Sequence, residues 1–137
     1  MKEEVAFFLP VRAGSQRVKN KNTKPFAGME GGLLANKLRQ LHTMKNVKEI
    51  ILSTNDVPSM EIAEKFIPGL PRLKVLRRPD ELCASSTKLV DLIRYVHGIT
   101  DCEHILWGHV TTPLVHGNIY DQAIDTYRLR LCTCPWC

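Results

Sequence analysis

The sequence contains no hydrophobic run long enough to span a membrane. A transmembrane helix needs about 20 consecutive apolar residues, and the apolar stretches of this chain are far shorter. The N-terminus carries Glu3 and Glu4, and the apolar run after them is too short for a secretory signal peptide. We therefore expect a cytoplasmic protein that has no membrane partner.

Aromatic residues are also scarce, at 7% of the chain. Proteins that bind single-stranded nucleic acid usually stack bases on aromatic side chains, and the sequence has no such motif. We expect no nucleic-acid partner, so a basic α/β module that binds RNA is the weakest functional alternative. The formal net charge of +5 instead suits a smaller anionic ligand such as a nucleotide.

Two familiar phosphate-binding motifs are missing. The chain has no Gly-x-x-x-x-Gly-Lys-Ser/Thr, which excludes a P-loop ATPase. It has no Gly-x-Gly-x-x-Gly either, which is the fingerprint of dinucleotide-binding folds. A phosphate site in this protein must therefore use another pattern.

The five cysteines are an odd number, and without a secretion signal we expect them to be reduced thiols. Cys132, Cys134 and Cys137 crowd the C-terminus, but zinc requires four ligands and no second cluster accompanies them. We therefore predict no metal ligands. We interpret residues 129–137 as an atypical Cys-rich tail, separate from a nucleotide-binding part at residues 1–128.

Apolar segments alternate between strand-like and helix-like spacing along the chain. Strands are predicted at Val5–Leu9, Glu49–Ser53, Leu73–Leu76 and His104–Val110. Helices are predicted at 33–45, from a cap at Ser59 to Lys65, after a cap at Ser86 or Thr87, and from a cap at Asn118. This alternation predicts an α/β fold with a parallel sheet and helices on both faces, in which ligands bind beyond the carboxyl ends of the strands.

The loop after the first predicted strand has the composition of a triphosphate site. Gly14 and Ser15 let backbone N–H groups approach an anion closely. Arg12 and Arg17 offer planar, permanently charged donors for phosphate oxygens, and Lys21 adds a mobile positive charge. A solvated basic surface is the alternative interpretation, but a strand end, a glycine and basic residues coincide here.

Residues 10–22, Pro-Val-Arg-Ala-Gly-Ser-Gln-Arg-Val-Lys-Asn-Lys-Asn, resemble the opening motif of the acylneuraminate cytidylyltransferases, Pro-x-Arg-x-Gly-Ser-Lys-x-x-x-x-Lys-Asn. Segments at 51–56, 77–82 and 110–114 agree with that family in order and approximate spacing, so the resemblance covers residues 4–128. Cytidylyltransferases for 3-deoxy-octulosonate share parts of the pattern. The resemblance implies a Rossmann-like nucleotidyltransferase three-layer sandwich with a mostly parallel sheet, incomplete at the C-terminus.

The same resemblance implies an enzyme that transfers CMP from CTP to a sialic-acid-type, nonulosonic sugar and releases pyrophosphate. The sugar's anomeric hydroxyl would attack the α-phosphorus, and Mg²⁺ would neutralise the phosphates. Catalytic roles are implied for Arg12 and Lys21. Nucleotide contacts are implied for Arg12, Ala13, Gly14, Ser15, Arg17, Lys21, Asn22, Arg78 and His109.

Three of the candidate residues have plainer explanations that the sequence leaves open. Arg77 could replace Arg78 in the base pocket, or either could be a solvated charge. His109 stands where many relatives have Gln, and a buried strand-end histidine bonded to the backbone is the alternative to a base contact. Asp56 could bind a metal, although turn formation explains it better.

The family continues substantially beyond the matched region, through a dimerisation segment and an acidic pair that binds magnesium. Nothing after Asp125 supplies those carboxylates, and residues 128–137 fit no family segment. We therefore expect a C-terminally truncated member of a family that is homodimeric at full length. A CTP-binding remnant without catalysis and a 3-deoxy-octulosonate cytidylyltransferase are the alternative functions.

Overall fold

Strands and helices alternate along the residues that the computed structural model describes, which are 4–11, 23–25, 27–28, 30–82 and 87–133. The strands are β1 (Val5–Val11), β2 (Glu49–Thr54), β3 (Leu73–Arg77) and β4 (His104–Trp107). The helices are α1 (Gly32–His42), α2 (Val57–Glu64), α3 (Leu89–Ile99) and α4 (Gly117–Thr133), with 3-10 turns at Ile67–Gly69 and Asp80–Leu82. Within these residues, no helix combines the length and the apolar character that crossing a bilayer requires.

The four strands form one parallel sheet in the order β3-β2-β1-β4. Phe8 of β1 lies opposite Ile51 of β2 on one side and Trp107 of β4 on the other. The two central strands are buried along nearly their whole length, as a parallel sheet covered on both faces requires. The α/β fold class and the parallel sheet predicted from the sequence are confirmed.

Helices cover both faces of this sheet, and the side chains of each strand alternate between these two faces. Phe7 packs with Leu38 of α1 and Ile124 of α4 in the larger core. Phe8 packs with Val96 of α3 in the smaller core on the other face. The single strand β1 therefore contributes a large aromatic side chain to each layer.

Pro10 lies inside β1, so the predicted strand Val5–Leu9 is too short. The carbonyl of Phe8 accepts the Gly108 N–H at 3.0 Å, on the side of β1 that faces β4. Backbone N–H and C=O groups two residues apart along a strand point towards the same neighbouring strand. The backbone of Pro10 therefore faces the β4 side, but β4 has already ended at Trp107. The missing N–H of proline therefore removes no bond from the sheet.

Three predicted helix caps are wrong, and one of them, Asn118, lies inside α4, which begins at Gly117. Helix α2 is capped by Asp56 and not by Ser59: the Asp56 carboxylate accepts the Ser59 N–H at 3.2 Å and the Ser59 hydroxyl at 2.5 Å. Capping accounts for Asp56 without a metal. Thr87 does not cap α3, which begins at Leu89; its hydroxyl donates to the Glu81 carbonyl at 3.0 Å.

A buried carboxylate ties the amino edge of the sheet together. Glu49, the first residue of β2, accepts hydrogen bonds from Lys74 at 2.5 Å and from the Thr100 hydroxyl. Burial raises the pKa of the Glu49 carboxyl, but these bonds outweigh it and leave that pKa below its ordinary value. The bond to Glu49 raises the pKa of Lys74. This edge is occupied by structural contacts between β2, β3 and the segment before β4.

Helix α4 begins in close contact with the end of α1. A Cβ built at Gly117 would lie 2.4 Å from the Gln40 carbonyl oxygen and 3.1 Å from the Met44 nitrogen. These are backbone atoms, so α1 and α4 would have to separate. We expect Gly117→Ala to lower the free energy of unfolding by about 1–3 kcal/mol in urea denaturation.

The matched control for this substitution is Gly98→Ala in α3. Nothing lies within 4 Å of a Cβ built at Gly98, and alanine is the better helix former by about 0.5–1 kcal/mol. We therefore expect the control to be neutral or stabilising. Equal destabilisation by the two substitutions would contradict the close contact at Gly117.

Candidate active site

The four carboxyl ends of the strands meet at one edge of the sheet. From β1 the chain adds β2 and then β3 on one side, and it returns to place β4 on the other side of β1. The strand order therefore reverses between β1 and β4. In open parallel sheets, the loops on either side of such a reversal diverge and leave a crevice in which ligands bind.

The loop after β1 is the predicted phosphate site, and its residues lie outside the described part of the chain. These are Arg12, Ala13, Gly14, Ser15, Arg17, Lys21 and Asn22. The structure does locate the buried residue directly before them, Val11, at the end of a central strand. The chain thus enters this segment at the strand-order reversal, and the assignments of the seven residues stay predictions.

Arg78 is buried directly after β3, with only 4% of its surface exposed. Its Nε donates to the Ser53 hydroxyl at 3.3 Å and its Nη2 to the Ser53 carbonyl at 3.2 Å. Its backbone N–H continues the β2–β3 ladder through the Thr54 carbonyl at 2.9 Å. Arg77 beside it is exposed, so of the two arginines that the sequence left open, Arg78 is the one fixed inside the protein.

Ser53 connects Arg78 to α3, the helix on the face of the sheet that carries the smaller core. Its hydroxyl oxygen lies 3.3 Å from the Tyr95 hydroxyl of α3, within hydrogen-bond distance. Ser53 is fully buried near the end of β2. The guanidinium of Arg78 is therefore oriented by a side chain that is itself held between two elements.

An open pocket of about 670 Å³ lies between the turn at Asp80–Leu82 and the start of α3. Charged side chains of both signs line it: Glu81, Lys88, Asp91 and Arg94. Such a mixture suits a polar ligand with several hydrogen-bonding groups. The pocket follows the carboxyl end of β3, on the side of the sheet where the candidate residues lie.

The loop after β4 forms the other side of the strand-order reversal. Gly108 is required where this loop begins, because a Cβ there would lie 2.1 Å from the ring of Phe7. The Thr112 hydroxyl donates to the His109 carbonyl at 2.9 Å and closes a tight turn. The side chain of His109 is exposed, so it is not the buried histidine of the alternative interpretation. It lies two residues beyond β4, which ends at Trp107 rather than at the predicted Val110.

Three polar side chains of α1 hold this loop, and the sequence analysis did not identify them as site residues. The Lys37 Nζ donates to the carbonyls of Thr112 at 2.8 Å and of Val115 at 3.3 Å. The side-chain amides of Asn36 and Gln40 both donate to the Pro113 carbonyl, at 3.1 and 2.6 Å.

A signal for one of these residues is present in the sequence. Lys37 falls three residues after Leu34 and four before Leu41, which are on the apolar face of α1. A lysine in phase with buried leucines is unusual, because lysine is almost never fully buried without a partner. That phase, applied to the predicted helix, indicates that Lys37 is buried, but it does not reveal the oxygens that Lys37 binds.

Magnesium, which the resemblance implies, finds no ligand set among the described residues. The ion prefers carboxylate and phosphate oxygens in octahedral geometry. In the described ranges, no group of three His, Cys, Asp or Glu side chains lies close enough to hold a metal ion. In nucleotide sites Mg²⁺ is usually held by one or two carboxylates together with the phosphates of the substrate, so the predicted magnesium stays a prediction.

Comparison with known proteins agrees with this geometry. The family described as Cytidylyltransferase matches residues 6–130. The pseudaminic acid cytidylyltransferase of Campylobacter jejuni subsp. jejuni is 26% identical over 120 residues, which are 87% of this chain and 51% of the relative. The chain thus spans about half the length of the curated relatives that it matches.

Two solved structures share the fold. One is a CMP:2-keto-3-deoxy-manno-octonic acid synthetase complexed with CTP, with a TM-score of 0.72, 14% identity, and 91% of this chain and 47% of that chain covered. The other is a cytidylyltransferase from Leptospira borgpetersenii, with a TM-score of 0.67, 19% identity, and 91% and 49% covered. Because the family match extends from β1 into α4 and the same fold recurs in these structures, the chain belongs to the cytidylyltransferase family.

Proposed function

We propose that this chain binds CTP at the carboxyl edge of its sheet and takes part in transferring CMP to an acidic, nonulosonic sugar, with release of pyrophosphate. The observation that carries the proposal is the reversal of strand order between β1 and β4. Strand β1 leads directly into the basic motif at residues 12–22. Membership of the cytidylyltransferase family makes CTP the expected ligand of that motif.

In this proposal the nucleotide lies across the ends of several strands. The cytosine binds near Arg78, after β3, and the phosphates bind at residues 12–22, after β1. His109 approaches from the far side, after β4. Neighbouring strands are about 4.8 Å apart, so the three spacings from β3 to β4 cover roughly 14 Å, which accommodates an extended nucleotide.

The proposed chemistry depends on stabilising negative charge. The anomeric hydroxyl of the sugar attacks the α-phosphorus of CTP and releases its proton to water, and the bond from that phosphorus to the bridging oxygen of pyrophosphate breaks. The departing pyrophosphate gains negative charge as the bond lengthens. Arg12 and Lys21 are the proposed donors to that charge, and losing one such preset donor typically costs about 2.7–4 kcal/mol of transition-state stabilisation.

Two narrower alternatives are separated by experiment. The first is a protein that binds CTP without catalysis. The structural similarity to a CMP:2-keto-3-deoxy-manno-octonic acid synthetase favours an eight-carbon acidic sugar as substrate. We give priority to nonulosonic sugars because the curated relatives are pseudaminic acid cytidylyltransferases.

Pyrophosphate release tests the proposal. The chain is incubated with CTP, magnesium and one sugar at a time: pseudaminate, N-acetylneuraminate or 3-deoxy-octulosonate, with ATP replacing CTP as the control. We expect release with CTP and a nonulosonic sugar and none with ATP. Calorimetric binding of CTP without release identifies the non-catalytic alternative, and release with the octulosonate alone identifies the second. A chain that fails to bind CTP defeats the proposal.

A further inference from the structure

Lys37 is a fully buried cation in α1, with 0% of its surface exposed. Its ammonium has three N–H donors and lies within hydrogen-bond distance of four oxygens: the Thr112 carbonyl, the Val115 carbonyl, the Thr112 hydroxyl at 3.2 Å and the Tyr120 hydroxyl at 2.9 Å. It also lies 5.0 Å from the centroid of the Tyr120 ring. All of these oxygens belong to neutral groups, so the charge is held by dipoles and a ring face.

These contacts determine the direction of the backbone in the loop after β4. With Asn36 and Gln40 bound to the Pro113 carbonyl, the carbonyls of residues 112, 113 and 115 are all directed towards α1. In a trans peptide the following N–H points the opposite way, and the described residues contain no cis peptide. The N–H groups of Leu114 and His116 therefore point away from α1, and the Leu114 side chain is 84% exposed.

The location of this loop makes its conformation relevant to the reaction. It begins at Gly108 and lies on the β4 side of the strand-order reversal, opposite the basic motif after β1. A lysine would be a costly way to fill space in a core, since burying a charge requires full compensation. A leucine or methionine would fill a similar volume but would remove the Lys37 donor from the Thr112 and Val115 carbonyls.

We propose that Lys37 is a positioning residue, whose buried ammonium holds the loop at residues 109–116 in the conformation that completes the substrate crevice. The inference rests on the proposed function, because the crevice is the proposed CTP site. Lys37 acts through Thr112 and Val115 and does not itself contact the substrates.

The test compares Lys37→Met with wild type and with Lys45→Met. Lys45 is an exposed lysine just after α1, and its backbone N–H bonds to Asp121 do not involve its side chain. Misplacing a contact by about 1 Å can cost roughly 100-fold in rate. We expect kcat/KM for pyrophosphate release to fall by about that factor in Lys37→Met and to be unchanged in Lys45→Met.

Amide hydrogen exchange separates positioning from general loss of structure. In Lys37→Met we expect faster exchange at Val115, whose N–H bonds the Thr112 carbonyl at 3.3 Å, with β1 and β2 amides protected as in wild type. A folded Lys37→Met protein with a loosened loop and wild-type kcat/KM overturns the inference and leaves the proposed function intact. A wild-type chain that releases no pyrophosphate defeats both.

A second variant decides the matter if Lys37→Met does not fold. Gln40→Met removes one donor to the Pro113 carbonyl, and it also removes a buried Oε1 that has no hydrogen-bond partner among the described residues. The protein should therefore stay folded, because an unsatisfied buried acceptor is lost. A lower kcat/KM at an unchanged Tm supports the loop's role, and wild-type kcat/KM at an unchanged Tm overturns it.

Discussion

Arg12→Ala is expected to weaken CTP binding strongly and to leave the domain folded. Arg12 directly follows Val11, the last residue of the central strand β1, and it opens the basic motif. An arginine at this position offers a planar pair of donors that alanine cannot replace. Hydrogen bonds to charged groups contribute about 1.5–3 kcal/mol, which corresponds to CTP binding roughly 10- to 150-fold weaker. Isothermal calorimetry with CTP measures the effect, and the Tm reports folding.

The control for Arg12 is Arg39→Ala. Arg39 is exposed in the last turn of α1, at the opposite end of the helix from the loop after β1. Its guanidinium lies 5.9 Å from the centroid of the Phe66 ring. We expect wild-type CTP affinity in this variant. Unchanged affinity in Arg12→Ala would remove the basis for the phosphate-site assignment.

Arg78→Ala is expected to weaken both folding and CTP binding, whereas Arg77→Ala is expected to change neither. The buried guanidinium of Arg78 makes two bonds to Ser53, and hydrogen bonds to charged groups contribute about 1.5–3 kcal/mol. Arg77 is exposed, and surface substitutions usually stay within about 0.5 kcal/mol. Urea denaturation and CTP calorimetry on both variants measure the difference.

Arg78→Lys separates the two effects on Arg78. Lysine retains the charge but lacks the planar fork that bonds Ser53 at two points. If Arg78 orients a base pocket, Arg78→Lys should bind CTP at least about tenfold more weakly than wild type. Its free energy of unfolding should be closer to that of wild type than the free energy of unfolding of Arg78→Ala is. Equal CTP affinity in the Arg77 and Arg78 variants would show that the buried arginine has no part in binding.

Most of the architecture could be predicted because the chain repeats one local pattern. Short apolar runs rich in branched residues, such as Ile50 and Ile51, alternate with helical spacings such as Leu34, Leu38 and Leu41. That pattern depends only on neighbours in the sequence, and it implies a covered parallel sheet. The order of the strands is a tertiary property, and the sequence did not predict it.

The errors arose where a distant neighbour decides the local structure. Pro10 remains in a strand because the adjacent strand ends at Trp107, which no local pattern reveals. Leu89, Ile93 and Val96 recur at helical spacing in α3, yet Leu89 and Ile93 are exposed and Val96 is buried. The sheet residues that a helix covers determine which of its apolar side chains are buried.

Some residues of the candidate site were identified from the sequence and others were not, for the same reason. Arg78 was identified because it belongs to a local motif that resembles a family segment. Lys37 was not identified as a site residue, because the oxygens that its ammonium bonds belong to residues 112, 115 and 120, more than 70 positions further along the chain. Backbone carbonyls carry no sequence signature, so contacts to them become visible only in the folded chain. The predicted roles of Lys21 and Asn22, the tail at 129–137, magnesium and the homodimer stay predictions.

The most direct test of the central claim is a titration of the isotope-labelled chain with CTP, followed by the chemical shifts of its backbone amides. The claim predicts the largest changes at the carboxyl edge, at the residues following Val11, at Arg78 and at Gly108–Thr112. It predicts little change at the amino edge, where Glu49 and Cys102 lie, and little response anywhere to ATP. Shifts centred on the amino edge, or no saturable shifts with CTP, would contradict it.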